Sequence, residues 1–269
     1  MQISREVNRS ALRYFGGKWA IAPWIIEHMP EHRVYVEPFG GAASVLLRKP
    51  RSKVEIYNDL DDEIVGLFRI LQSPDRCREL VRILKRTPYA RREFEQAFLQ
   101  TADPLIRAQR AIIRAYMSFH HTALFNPGKN TFANARHRQK TGHCKAFEWN
   151  TYPRHLAHVC RRLRGVVIDH LDALDVIRVQ DTADALFFVD PPYVASTRCK
   201  GSCYRHEMSD GQHLAFLALL KTVRGRVMIS GYASALYDDT LAGWQRLTRK
   251  HYAAASGAKD RTEVLWISP

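Results

Sequence analysis

The sequence predicts an α/β fold, a wound sheet interrupted by a mainly helical insert, from three observations. The apolar run Ala185-Leu186-Phe187-Phe188-Val189 is aromatic at its centre and cut off by the prolines of Asp190-Pro191-Pro192-Tyr193, the pattern of a buried strand whose ladder stops there. The stretch Val34-Tyr35-Val36-Glu37-Pro38-Phe39-Gly40-Gly41-Ala42-Ala43-Ser44-Val45 reads as a strand running into a small-residue turn that opens a helix. Both flanks of the chain alternate strand and helix patterns, whereas the middle looks mainly helical.

Taken in order, residues 18–29 have helical spacing, 34–36 form a short strand, 42–48 return as a helix, 54–57 make a second strand and 63–71 a second helix. The insert begins near Ser73-Pro74, with helices predicted over 75–86, 91–99 and 103–118. The last of these opens on Asp103-Pro104, a good cap followed by a first-turn proline. A polar and aromatic stretch over 120–150 contains the turn signal Asn126-Pro127-Gly128-Lys129-Asn130 and the basic cluster Arg136, His137, Arg138 and Lys140. Helical periodicity resumes at 154–163 and stops at Gly165. The second flank reads as strands 166–169 and 186–189, helix 210–223, strand 226–230, helix 234–241 and two closing strands over 246–252 and 263–267. The expected division is therefore a body made of residues 1–71 and 165–269 and an insert of residues 72–164.

The 269 residues, 46% of them hydrophobic, suffice for a full core. No stretch approaches the length of a transmembrane helix, and the first residues lack the apolar core of a signal peptide, so a cytoplasmic location is expected. Five scattered cysteines point to reduced thiols. Cys199, Cys203 and His206 lack a clear fourth ligand, and no metal is expected. The net charge of +14 is unevenly placed. Residues 71–164 hold 19 Lys and Arg against 6 Asp and Glu, leaving the rest of the chain nearly neutral. Solvated faces usually mix both signs, whereas a block of one sign points to a polyanion such as nucleic acid.

Asp190-Pro191-Pro192-Tyr193 stands at a strand's carboxyl edge, where open α/β sheets bind ligands. It offers a carboxylate, a proline carbonyl and a ring, which suit the two N–H donors and flat face of a nucleobase amine. Glycines after the first strand allow close approach of a ligand, and the helix start beyond them favours a polar group. Asp59 ends the next strand about twenty residues on, the place from which an acid takes ribose hydroxyls. Neither the three-glycine dinucleotide pattern nor a phosphate-binding loop is present.

Tyr14-Phe15-Gly16-Gly17-Lys18, Val36-Glu37-Pro38-Phe39-Gly40-Gly41, Asn58-Asp59 and Asp190-Pro191-Pro192-Tyr193, in that order, resemble the Dam-like, alpha-group DNA adenine-N6 methyltransferases. Ile229-Ser230-Gly231-Tyr232 and the closing Thr262-Glu263-Val264-Leu265-Trp266 extend the resemblance over nearly the whole chain, most weakly across the insert. It implies a Rossmann-like methyltransferase fold, a wound mixed sheet with helices on both faces, with an inserted, mainly helical DNA-recognition domain. It implies S-adenosyl-L-methionine as cofactor, contacted by Tyr14, Lys18, Glu37, Phe39, Gly41, Asp59, Asp172 and Asp190. Asp190, Pro191, Pro192 and Tyr193 would be catalytic, with Tyr193 stacking a flipped-out adenine. Double-stranded DNA is the expected partner, held through Lys129, Arg136, Arg138 and Lys140, and no obligatory protein partner is evident. Ala43 departs from the family, which usually has glycine there; its methyl group points toward crowding of the cofactor pocket and looser cofactor binding, but as the smallest replacement it is expected to be tolerated. Three other readings are a cytosine-N4 methyltransferase, disfavoured by Asp at 190; an enzyme acting on RNA or on a protein glutamine, where Asn commonly stands first; and a catalytically silent DNA-binding protein, hinted at by Ala43.

Overall fold

The computed structural model describes residues 3–4, 6–119, 131–134, 144–197, 204–252 and 260–269. Its centre is one seven-stranded sheet of β1 (Val34–Glu37), β2 (Val54–Asn58), β3 (Val166–Asp169), β4 (Ala185–Val189), β5 (Arg226–Tyr232), β6 (Gln245–Tyr252) and β7 (Asp260–Ile267), in the order β3-β2-β1-β4-β5-β7-β6. The first five strands in that order run parallel; β7 lies antiparallel to both β5 and β6. Val36 faces Ile56 on one side and Phe187 on the other, which places β1 and β4 at the centre, where the strand order reverses. All five residues of β4 are buried, as the uninterrupted apolar run of a strand covered on both faces requires.

Alternation along the strands divides the core between the two faces. Tyr35, Tyr57, Leu186 and Phe188 pack with α1 (Ala22–Glu27), α2 (Asp62–Gln72), α3 (Pro74–Arg86), α5 (Pro104–Met117) and α6 (Lys145–Leu163). Val36, Ile56, Phe187 and Val189 pack with α7 (Ala173–Gln180), α8 (Asp210–Leu220) and α9 (Ala235–Thr240). Helices therefore cover both faces of a mixed sheet, the predicted class. The short α4 (Arg91–Gln96) packs on α5.

A charged anchor ties α6 to the sheet. Arg162 donates from both terminal nitrogens to Glu55 of β2, at 2.6 and 2.8 Å, and Lys49 donates to the same carboxylate at 2.6 Å. All three side chains are buried. Burial pulls the Lys49 ammonium down to about 8, partly offset by Glu55, whereas Arg162 and Lys49 together overcome the burial that would raise the Glu55 carboxyl and bring it below its ordinary value.

Four elements differ from the sequence expectation. Residues 42–48 are a run of turns rather than a helix. Ala43 has φ 50°, which breaks helical geometry, and the Leu46 amide donates to the Glu37 carboxylate at 2.8 Å instead of to a carbonyl four residues back. The helix expected over 18–29 starts only at Ala22, after turns closed on the Lys18 carbonyl. The missed helix α7 begins from Asp172, whose side chain accepts the Leu174 amide at 2.8 Å. Helix α6 starts at Lys145, nine residues before its expected start at 154, and runs through Pro153.

Candidate active site

The carboxyl ends of β1 to β4 meet at one edge of the sheet. Beyond Glu37 the chain turns sharply through Gly40 and Gly41. A side chain at position 40 would put its first carbon 2.1 Å from the Tyr57 ring, so only glycine fits there. Gly41 has φ 47°, and its amide donates to Asp59 Oδ2 at 2.7 Å, while the Asp61 amide donates to Oδ1 at 2.8 Å. Asp59 thus braces the glycine turn from the end of β2, and burial raises its carboxyl. Asn58 fastens two further strand ends, donating to the carbonyls of Pro38 at 2.9 Å and Leu171 at 3.0 Å and accepting the Leu171 amide at 2.9 Å.

At the end of β4, Asp190 keeps 19% of its side chain exposed. Its Oδ1 accepts from the Ser230 hydroxyl and from the Lys18 ammonium, each at 2.8 Å. Lys18 is buried; it also donates to the Gly16 carbonyl at 2.8 Å and faces Glu263 at 3.5 Å. Burial opposes its charge, but Asp190 and Glu263 together more than offset this and raise its pKa. Tyr193 is buried as well. Its hydroxyl donates to Glu263, its ring meets the edge of Tyr232 with centroids 4.6 Å apart, and Lys18 Nζ lies 4.8 Å from its centroid. Glu37 is buried beneath the glycine turn and accepts from the Tyr35 hydroxyl at 2.6 Å and from Leu46. Burial pushes its carboxyl up to about 7, although both hydrogen bonds pull the other way.

These groups surround a cavity of about 230 Å³. Tyr14, Lys18, Glu37, Phe39, Gly41, Asp59, Asp172 and Asp190 all line it, as does Pro192. Pro191 and Tyr193 are not among its lining residues. Asp172 is exposed and caps α7 besides lining the cavity, and Phe39 rests edge-on against Phe216 of α8. Ala43 is fully buried outside the lining, so its methyl group does not crowd the cavity and its departure from glycine shows in the backbone instead. Lys129, Arg136, Arg138 and Lys140 lie outside the described residues, as do Cys199 and Cys203.

Sequence reasoning missed several groups. Ser44 lines the cavity and its buried hydroxyl has no partner among the described residues. Ser230, a polar residue after Val227-Met228-Ile229 in a strand, was the available signal for the hydrogen bond to Asp190. Tyr204 and Arg205 close one side of the cavity, with Arg205 paired to Asp61 at 2.7 Å and Glu63 at 3.3 Å. Carboxylates outnumber cations around the cavity, with Glu37, Asp59, Asp61, Asp172, Asp190 and Glu207 against Lys18 and Arg205. Such a lining suits a ligand carrying positive charge.

Comparison with known proteins points to one kind of relative. The DNA adenine methylase of Serratia marcescens is 24% identical over 249 residues, 86% of each chain. That of Escherichia coli K12 is 28% identical over 116 residues, a match spanning 41% of this chain and 40% of the relative's length. A shorter match to the Salmonella typhi DNA adenine methylase is 35% identical over 65 residues, 24% of this chain and 23% of the relative. The sequence model of the D12 class N6 adenine-specific DNA methyltransferases matches residues 14–254, from the cavity-lining Tyr14 to just beyond the sixth strand. That match covers most of the chain, and the chain belongs to the D12 class of N6 adenine-specific DNA methyltransferases.

Proposed function

We propose that this chain transfers a methyl group from S-adenosyl-L-methionine to N6 of an adenine in double-stranded DNA. The observation that carries the reading is Asp190, whose carboxylate is fixed through Oδ1 by Ser230 and Lys18 and opens on the cavity. Among the described residues nothing hydrogen-bonds Oδ2, which leaves it to accept an amine N–H. Adenine N6 is a poor nucleophile because its lone pair is delocalised into the ring. Acceptors at Asp190 Oδ2 and the Pro191 carbonyl would hold both N–H bonds and favour a pyramidal nitrogen with its lone pair free. The amine proton becomes acidic once N6 is methylated, so Asp190 need not be a strong base.

The residues present fit the cofactor. The Ser44 hydroxyl, without a partner among the described residues, would supply a donor for a carboxylate, Glu37 a counter-charge for an ammonium, and Asp59 an acceptor for ribose hydroxyls. When bound, S-adenosyl-L-methionine supplies a methyl group already activated by the positive sulfur. The excess of carboxylates in the lining favours that cation over the neutral thioether left after transfer, which aids product release.

The insert of residues 72–164 is the proposed DNA-recognition part. Its one-sign charge supports phosphate contacts, with Lys129, Arg136, Arg138 and Lys140 the proposed ones. The target atom lies inside the duplex, so the base must be flipped out before transfer. Because Tyr193 is tied down by its hydroxyl and covered by Lys18, its ring stiffens the site in this arrangement. A flipped base would stack on that ring only at a face Lys18 does not cover. Methylated nucleosides from duplex DNA incubated with the protein and labelled S-adenosyl-L-methionine test the reading. Label in N6-methyladenine is expected; label in N4-methylcytosine, or in RNA only, would overturn it.

A further inference from the structure

Glu263 is a buried carboxylate midway along β7, between the exposed Thr262 and the apolar Val264, Leu265 and Trp266, and it does not line the cavity. Strand pairing sets it opposite Tyr232, whose ring abuts Tyr193. Its Oε1 receives the Tyr193 hydroxyl and faces the Lys18 ammonium at 3.5 Å, while Lys18 donates to Asp190 Oδ1 at 2.8 Å. Asp190, Lys18, Glu263 and Tyr193 therefore close a ring that joins the first and last residues of the tetrapeptide. A carboxylate is costly in such a place, and an apolar residue would serve the sheet better. An ammonium has three donors, and Lys18 directs them at the Gly16 carbonyl, Asp190 and Glu263. Without the second carboxylate the ammonium would neutralise Asp190 alone, in competition with the incoming amine.

We propose that Glu263 is a positioning residue for the transfer: by sharing the Lys18 ammonium with Asp190 and holding the Tyr193 hydroxyl, it fixes both ends of the tetrapeptide and keeps Asp190 Oδ2 available to the amine. This rests on the reading of Asp190 as the amine acceptor.

Glu263→Gln keeps the shape and an acceptor for Tyr193 but removes the charge that faces Lys18. The expected result is a fall of at least about tenfold in single-turnover methyl transfer, with S-adenosylhomocysteine binding within about twofold and the thermal midpoint not lowered. Lys18 is faced by Asp190, Glu263, Tyr193 and Tyr204, so loss of one of its two carboxylates lowers its pKa. The alkaline limb of the pH–rate profile should accordingly move to lower pH. Tyr193→Phe, which removes only the hydroxyl, should also slow transfer, and the double variant should be no slower than the slower single variant. A normal rate in Glu263→Gln would overturn the assignment. So would a loss that follows a lowered thermal midpoint with the alkaline limb unmoved, or losses that multiply in the double variant. A wild-type protein that transfers no methyl to DNA would instead overturn the methyl-transfer reading itself.

Discussion

Glu37 shows how one buried carboxyl links the fold to ligand affinity. Burial pushes it up to about 7, so in the free protein it holds its proton more tightly than in the unfolded chain. The folded state is therefore favoured by Glu37 at low pH, and that contribution is lost as pH rises from the ordinary carboxylate range through about 7. An ammonium group bound beside it favours the ionised form and reverses the trend for binding. Affinity for S-adenosylhomocysteine, measured by calorimetry, should rise with pH up to about 7 and level off above it. Glu37→Gln should flatten the rise, and an unchanged profile in that variant would move the ammonium site elsewhere. Glu37, Asp59 and Asp190 are legible in the sequence because each stands where an apolar run ends. Ser230 and Glu263 stand out as polar residues in apolar strands, but their bonds to the tetrapeptide are not legible, because they reach it only through the sheet, from 40 residues beyond Asp190 and 70 beyond Tyr193.

Among the elements, β4 and the helix opening at Asp103 are readable because each carries its own signal, a continuous apolar run in one case and a side-chain cap in the other. The segment over 42–48 misleads because its spacing is helical while its backbone is bent by Ala43 and its Leu46 amide is taken by Glu37. Helix α7 is hard to see because eight residues carry too little periodicity to stand out. Helix α6 holds its place by Arg162. Arg162→Ala leaves Glu55 buried with only Lys49 opposite and should cost about 3–5 kcal/mol of stability. Chemical denaturation measures this. A cost near zero would mean that packing alone holds the helix, and Arg162→Met, which restores bulk but no charge, should recover little while Glu55 remains.

At the scale of the whole molecule, the strand order places the cavity beside the point where that order reverses, with the charge excess confined to residues 71–164. The alternation of patterns in the flanks makes the sheet legible, but not the order of its strands, which depends on pairings between residues far apart in the chain. The charge asymmetry predicts that DNA affinity falls steeply with salt. Replacing Arg136, Arg138 and Lys140 by alanine should reduce the slope of log affinity against log salt by about 1 for each phosphate no longer neutralised. An unchanged slope would place the DNA surface on other residues of the insert.

Asp190→Ala is the decisive variant, because it separates holding the cofactor from activating the amine. Measured side by side with the wild type, the variant should bind S-adenosylhomocysteine within a few-fold of normal and transfer no detectable methyl to adenine in duplex DNA. Transfer at close to the wild-type rate would contradict the central claim.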